Sequence, residues 1–167
     1  MPPDVRPDPL AGARPERLVR LLAGRGETVA TAESLTAGLL SATIAGVPGA
    51  SAVLRGGLIV YATELKHALA DVDADLLAER GPVDPEVARA MAAGAAARCG
   101  ATWGIGLTGV AGPDSQDGHS PGTVYLGLAG PDGAISRVLD LNGDRWEIRF
   151  GACAAAVDGL CDWIEGN

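Results

Sequence analysis

Aromatic side chains are scarce in this chain: Phe, Trp and Tyr together make up 4% of its 167 residues. A core assembled from such a sequence cannot rest on large rings. It carries 30 Ala and 24 Gly instead, so its elements must pack backbone close to backbone, with Val, Leu and Ile filling what remains. Positive charge is also scarce. The 13 Lys and Arg stand against 21 Asp and Glu, for a net charge of −8 and a pI near 4.6. That speaks against direct nucleic-acid binding, which needs a basic face to displace counterions. It leaves room for small anionic ligands, which a few placed Arg and backbone N–H groups can hold.

Other absences narrow the class further. The chain has three Cys and no CxxC pair. Cys153 and Cys161 lie too far apart on one expected helix to bridge there, and the odd, unpatterned count fits a reducing compartment. His67 and His119 are the only histidines, too few for a His-based metal site, and a Ser-His-Asp triad would have to draw on one of them. No phosphate-binding Walker loop is present. No apolar run reaches the roughly 18 residues of a membrane span, and the Pro-rich start lacks the apolar core of a signal peptide. The expectation is a cytoplasmic protein with no membrane segment, no metal and no cofactor. Residues 1–13 are expected to form a flexible Pro-rich tail and residues 14–167 a single domain.

Along that domain, the run from Pro15 to Leu22 is amphipathic and predicts a helix that Gly24 and Gly26 stop. Residues 27–31 read as a strand, 34–45 as a helix of small and aliphatic residues, and 53–62 as a strand interrupted by Gly56 and Gly57. A short helix over 63–69 follows, then a turn or short helix through Glu79. Asp84 is an expected N-cap with Pro85 at the first helical position, opening a helix to about Arg98. Residues 101–107 read as a strand. The long Gly-, Pro- and Asp-rich stretch 108–122 reads as a functional loop. Strands at 123–129 and 134–141 flank a hairpin turn, and a helix spans 144–164. This order predicts an α/β fold: three layers, α/β/α, with a mixed, partly parallel sheet closed by a C-terminal hairpin and helix. Ligands in such folds bind beyond the carboxyl ends of the parallel strands. Here those ends are Thr31 to Ser34, Tyr61 to Lys66, and Thr108 onward.

Four constellations carry possible chemistry. Ser34, in the run Thr31-Ala32-Glu33-Ser34-Leu35-Thr36-Ala37-Gly38, falls at an expected helix N-terminus, where free N–H groups hold an oxyanion or phosphate. The plain alternative is an N-cap Ser with Glu33 as a first-turn acid. Lys66 lies one helical turn past the strand that Tyr61 closes. A buried Lys can act as a base, and Ser–Lys pairs are known hydrolytic dyads; the alternative is a solvated surface Lys. It is also the only lysine beside twelve Arg, the one long cation able to give up its proton. Gly104, Gly106 and Gly109 match GxGxxG, but the match lies within and just after a strand and no helix follows it, which rejects the dinucleotide reading. Thr108 and the loop glycines remain candidates for close ligand approach, against a mobile loop of no function. Arg145 and Arg149 share a face on the first turns of the last helix, where cations do not belong electrostatically. Asp144, Glu147 or a bound phosphate are the candidate counterions.

In order and spacing these motifs resemble the CinA C-terminal domain family, known as competence/damage-inducible proteins. The resemblance rests on Thr31 to Gly38, Gly56 to Lys66, Gly81 to Asp84, Thr108 to Pro113, Gly122 to Val124 and Gly143 to Arg149, and it covers residues 15–165. Stand-alone members are nicotinamide-nucleotide amidohydrolases. The resemblance therefore implies hydrolysis of nicotinamide mononucleotide to nicotinate mononucleotide and ammonia. It implies Ser34 as nucleophile, Lys66 as base, and Tyr61 and Thr108 as supporting catalytic residues. Glu33, Thr36, Gly109, Gly112, Arg145 and Arg149 are the implied substrate-binding residues. A small-molecule nucleotide as ligand and a homodimer or higher homo-oligomer are implied as well. An inactive nucleotide-binding or competence-related interaction module is the alternative. The chain departs from the family pattern at Leu35 for Cys, Ala37 for Gly and Asp84 for Ser. It also carries Asp114-Ser115-Gln116 in place of a Gly-rich stretch, and His119-Ser120-Pro121 for Lys-Pro-Val. With 14 residues ahead of the match, the N-terminal domain of larger members is expected to be missing.

Overall fold

The computed structural model describes residues 12–166, so most of the Pro-rich stretch lies outside the described residues. Ala13 is already buried. Helix α1 spans Pro15–Arg25. It runs through Gly24, where a stop was expected, and ends at Gly26, whose φ of 65° makes the left-handed C-cap. Strand β1 (Val29–Glu33) is buried along its whole length. Helix α2 spans only Leu39–Ala45. The helix expected from Ser34 therefore begins five residues later, and residues 34–38 form a turn. Two left-handed residues, Ala37 (φ 48°) and Gly38 (φ 97°), exclude α-helix there.

Strand β2 (Leu54–Ile59) passes through Gly56 and Gly57 without a break, with Arg55 skipped in its pairing to β1. Helices α3 (Thr63–Ala70) and α4 (Ala74–Arg80) follow. Helix α5 (Pro85–Cys99) is capped by Asp84, which accepts from Glu86 N–H at 2.8 Å and Val87 N–H at 3.3 Å. Strand β3 (Trp103–Gly109) is followed by the long loop and by the hairpin of β4 (Thr123–Gly130) and β5 (Gly133–Asp140). Helix α6 (Arg145–Gly166) closes the chain.

The sheet order is β2-β1-β3-β4-β5. β1 pairs in parallel with β2 and β3, whereas β3–β4 and β4–β5 are antiparallel. Helices α1, α2 and α6 pack on one face and α3, α4 and α5 on the other, giving the expected three layers. The small residues are needed where α5 crosses the sheet. A Cβ on Gly104 would lie 1.9 Å from Ala92 O, and one on Gly127 would lie 2.0 Å from Ala88 O. Gly104 and Gly106 of the GxGxxG match thus serve helix-on-sheet packing, and Gly109 lies against Thr123 and Val124 of β4, in keeping with the rejected dinucleotide reading. Cys153 and Cys161 are buried on α6 and free.

Candidate active site

The carboxyl ends of the three parallel strands open onto one cavity of about 310 Å³. Ser34 comes from the end of β1, Tyr61 and Lys66 from the end of β2 and from α3, and Thr108 from β3. The loop after β3, the Pro82-Val83 segment and Arg145 complete the wall.

Ser34 continues the sheet by one bond, its N–H donating to Leu107 O at 2.9 Å. The chain then turns sharply, with Ala37 N–H donating to Ser34 O at 3.1 Å. The N–H groups expected to greet an anion at the start of the helix are already taken. Glu33 is buried and its carboxylate accepts from Leu40 N–H at 2.8 Å and Ser41 N–H at 3.0 Å. The Ser41 and Thr31 hydroxyls also donate to it, at 2.8 and 3.1 Å. Glu33 is thus the cap of α2, and an acid at a helix N-terminus is electrostatically favoured there. It does not line the cavity. Among the described residues, the N–H of Leu35 has no acceptor within the protein.

Lys66, on the second turn of α3, is 1% exposed. Its Nζ donates to Ser34 Oγ at 3.0 Å, to Val60 O at 2.8 Å and to Tyr61 O at 3.5 Å. These three acceptors are neutral oxygens. Burial therefore dominates and pulls the ammonium's pKa down to about 8, opposed by the carboxylate of Glu64. The buried amine and the hydroxyl thus form a hydrogen-bonded pair at the floor of an open cavity. The surface-lysine and plain N-cap alternatives both fall away.

Around this pair, Thr108 is buried and donates its hydroxyl to Pro82 O at 2.6 Å, joining β3 to the segment before α5. Tyr61 is 58% exposed, at the cavity's rim rather than beside Ser34. Its hydroxyl accepts from Arg145 at 3.1 Å, and Arg145 also donates to Gly112 O at 2.7 Å. Arg145 therefore joins the ends of β2, the long loop and α6. Neither Asp144 nor Glu147, the suggested counterions, holds it. Those two cap α6 instead: Asp144 accepts from Trp146 and Glu147 N–H at 2.8 and 2.9 Å, and Glu147 accepts from Asp144 N–H at 2.7 Å. The N–H groups of Trp146, Glu147 and Ile148 are consequently not open to a phosphate.

Gly109 and Gly112 line the cavity as expected. Thr36 and Arg149, expected beside the substrate, do not. Arg149 donates to Leu35 O at 2.9 Å and Thr36 O at 3.3 Å, while the buried Thr36 hydroxyl has no partner. His119 also lies away from the cavity, edge-on to Tyr125 at 6.4 Å. It pairs with Gln116 across a tight two-residue turn. Sequence reasoning gave no site role to Pro82, Val83 and Asp114 to Gln116, all of which line the cavity. Their only signal was their place in the Gly81 to Asp84 motif and in the long loop. Among the described residues no cluster of three or more His, Cys, Asp or Glu side chains could hold a metal, and no helix is long and apolar enough to cross a membrane.

Comparison with known proteins bears on the family and the fold. Residues 13–164 match the model of the CinA C-terminal domain. A CinA-like protein of Frankia casuarinae is 51% identical over 138 residues, covering 83% of this chain and 32% of the relative. One from an Anaeromyxobacter species is 48% identical over 147 residues, covering 87% of this chain and 36% of the relative. The chain thus spans about a third of the length of these curated relatives. Among solved structures, a CinA superfamily protein from Klebsiella pneumoniae superposes with a TM-score of 0.88 at 27% identity, covering 92% of this chain and 96% of that one. A competence/damage inducible protein from Agrobacterium tumefaciens gives 0.85 at 28%, covering 89% and 92%. From the ordered motifs, the three-layer fold and these matches, the chain belongs to the CinA C-terminal domain family.

Proposed function

We propose that this protein is an amidase that hydrolyses the carboxamide of nicotinamide mononucleotide to nicotinate mononucleotide and ammonia. The observation that carries the proposal is the 3.0 Å hydrogen bond between buried Lys66 Nζ and Ser34 Oγ at the cavity floor. Amide hydrolysis by a hydroxyl needs an attacking oxygen, a base and donors for the oxyanion. Neutral Lys66 takes the proton of Ser34 as Oγ attacks the carboxamide carbon. The resulting ammonium returns that proton to the leaving nitrogen as the C–N bond breaks and ammonia departs. Water then attacks the acyl-Ser34 ester as Lys66 accepts its proton; Lys66 returns that proton to Ser34 Oγ as the acyl–oxygen bond breaks, and the freed acid ionises and leaves as the carboxylate. The N–H of Leu35, next to the nucleophile and without an internal acceptor, is the proposed oxyanion donor.

Arg145 is the proposed phosphate ligand. It stands at the rim, and a guanidinium fork suits phosphate oxygens. The cavity of about 310 Å³ lies at the small end of the roughly 300–1,000 Å³ range of ligand pockets, which favours a mononucleotide over a dinucleotide. A cytoplasmic location and a homodimer or larger homo-oligomer belong to the same reading. Light scattering of the purified protein tests the second. The test of the activity is ammonia release from nicotinamide mononucleotide by the wild-type protein and by Ser34→Ala. Turnover by wild type alone is expected. Equal turnover by a folded Ser34→Ala variant would sink the assignment.

A further inference from the structure

We propose that Arg149 is a positioning residue. Its guanidinium, laid across the carbonyls of Leu35 and Thr36, holds the turn that carries Ser34 in the geometry that meets Lys66. The inference rests on reading Ser34 as the nucleophile.

The turn has a reason to need holding. Ala37 sits at φ 48° and Gly38 at φ 97°, and a residue with a Cβ occupies the left-handed region only where its surroundings impose it. The two ends of the turn are tethered separately. Ser34 N–H is fixed to β3 through Leu107 O, and the Glu33 carboxylate grips the first N–H groups of α2. Among the described residues, the side chain that grips the middle of the turn from another element is Arg149. Nε donates to Leu35 O at 2.9 Å and a terminal nitrogen donates to Thr36 O at 3.3 Å.

The fork is itself prepared. The Trp146 ring lies 4.6 Å from the Arg149 guanidinium carbon, and that ring stacks on Phe150 at 5.7 Å. A cation over an aromatic face is attracted by the ring quadrupole and loses rotamer freedom in advance. Arg149 does not line the cavity, whereas Leu35 does. Its influence therefore passes through the Ser34 turn and not through contact with a ligand. Arg145, one helical turn earlier, faces the cavity. The two arginines that share one face of α6 thus divide two tasks. Lysine replaces the second only in part, because a single ammonium keeps the charge but lacks the planar fork that bridges two carbonyls.

The experiment compares wild type with Arg149→Lys and Arg149→Met, each checked for folding by circular dichroism. For ammonia release from nicotinamide mononucleotide, kcat should fall about ten- to a hundredfold, the loss expected for charge-assisted hydrogen bonds. KM should stay within about threefold, and Lys should recover part of what Met loses. A second readout is the rate at which a fluorophosphonate modifies Ser34, which does not depend on the nucleotide being the substrate. That rate should fall in parallel. A raised KM with kcat unchanged would mark Arg149 as a ligand contact and overturn the inference. Unchanged labelling of Ser34 in the folded variants would overturn it too. If wild type releases no ammonia but its Ser34 is labelled, the substrate assignment fails and the labelling rates still decide the role of Arg149. If wild-type Ser34 is not labelled at all, both are overturned.

Discussion

Lys66 is the residue on which the proposed chemistry turns. A buried ammonium with a pKa near 8 is about one-tenth neutral at pH 7. If the neutral amine is the base, kcat/KM should rise about tenfold per pH unit below pH 8 and level off above it. A profile flat from pH 6 to 9 would count against Lys66 as base. Lys66→Arg should be inactive at every accessible pH, since a guanidinium does not give up its proton. Substantial turnover by that variant would reduce Lys66 to an anchor. The same shift has a stability signature. The folded-state pKa lies below the unfolded value near 10.5, so between pH 8 and 10.5 the unfolded chain binds more protons and folding stability rises with pH. Denaturant midpoints of wild type should climb through that window relative to those of Lys66→Met. Equal slopes would mean that Lys66 is not desolvated in solution. The sequence pointed to this residue by singling out the one lysine, but burial and the Ser34 contact are three-dimensional facts.

Glycine does two opposite things among the elements of this fold. Gly104 lies where α5 presses on β3, and its Cβ would come within 1.9 Å of Ala92 O. Gly24 lies inside α1 with nothing within 4 Å of an added Cβ. Gly104→Ala should therefore destabilise the protein by about 1–3 kcal/mol or more through overpacking against backbone. Gly24→Ala should stabilise it by about 0.5–1 kcal/mol by relieving the entropic cost of glycine in a helix. Thermal or urea unfolding of the two variants checks the signs, and like signs would contradict the packing described here. Sequence alone does not separate these glycines, because only α5 crossing the sheet makes one of them indispensable. Helix starts show the same limit. Asp84 before Pro85 was legible as a cap because the cap lies next to its helix. The start of α2 was not, because its cap, Glu33, comes from the preceding strand across a five-residue turn.

For the whole molecule, the most consequential arrangement is the meeting of distant segments at Arg145. Tyr61 and Gly112 lie 84 and 33 residues away from it, and the chain as a whole carries a charge of −8. A local cation is therefore needed if an anionic nucleotide is to bind. Wild type should prefer nicotinamide mononucleotide over its dephosphorylated riboside. Arg145→Ala should erase most of that preference, by about ten- to a hundredfold for a charge-assisted contact of roughly 1.5–3 kcal/mol. Undiminished discrimination by the variant would make Arg145 a structural strut between Tyr61 and Gly112. By itself the sequence determined the order of the elements, the mixed three-layer architecture and the six motifs. These are local properties of periodicity, capping and turn chemistry, and short-range physics acts on neighbours in the chain. Only the tertiary structure decided which of the marked residues face one cavity. Ser34, Lys66, Thr108 and Arg145 do, whereas Glu33 turns back to cap α2 and Arg149, expected beside the substrate, donates instead to the carbonyls of Leu35 and Thr36. The division follows from the directions in which side chains leave β1 and α6, and those directions are set by packing against partners far away in the chain.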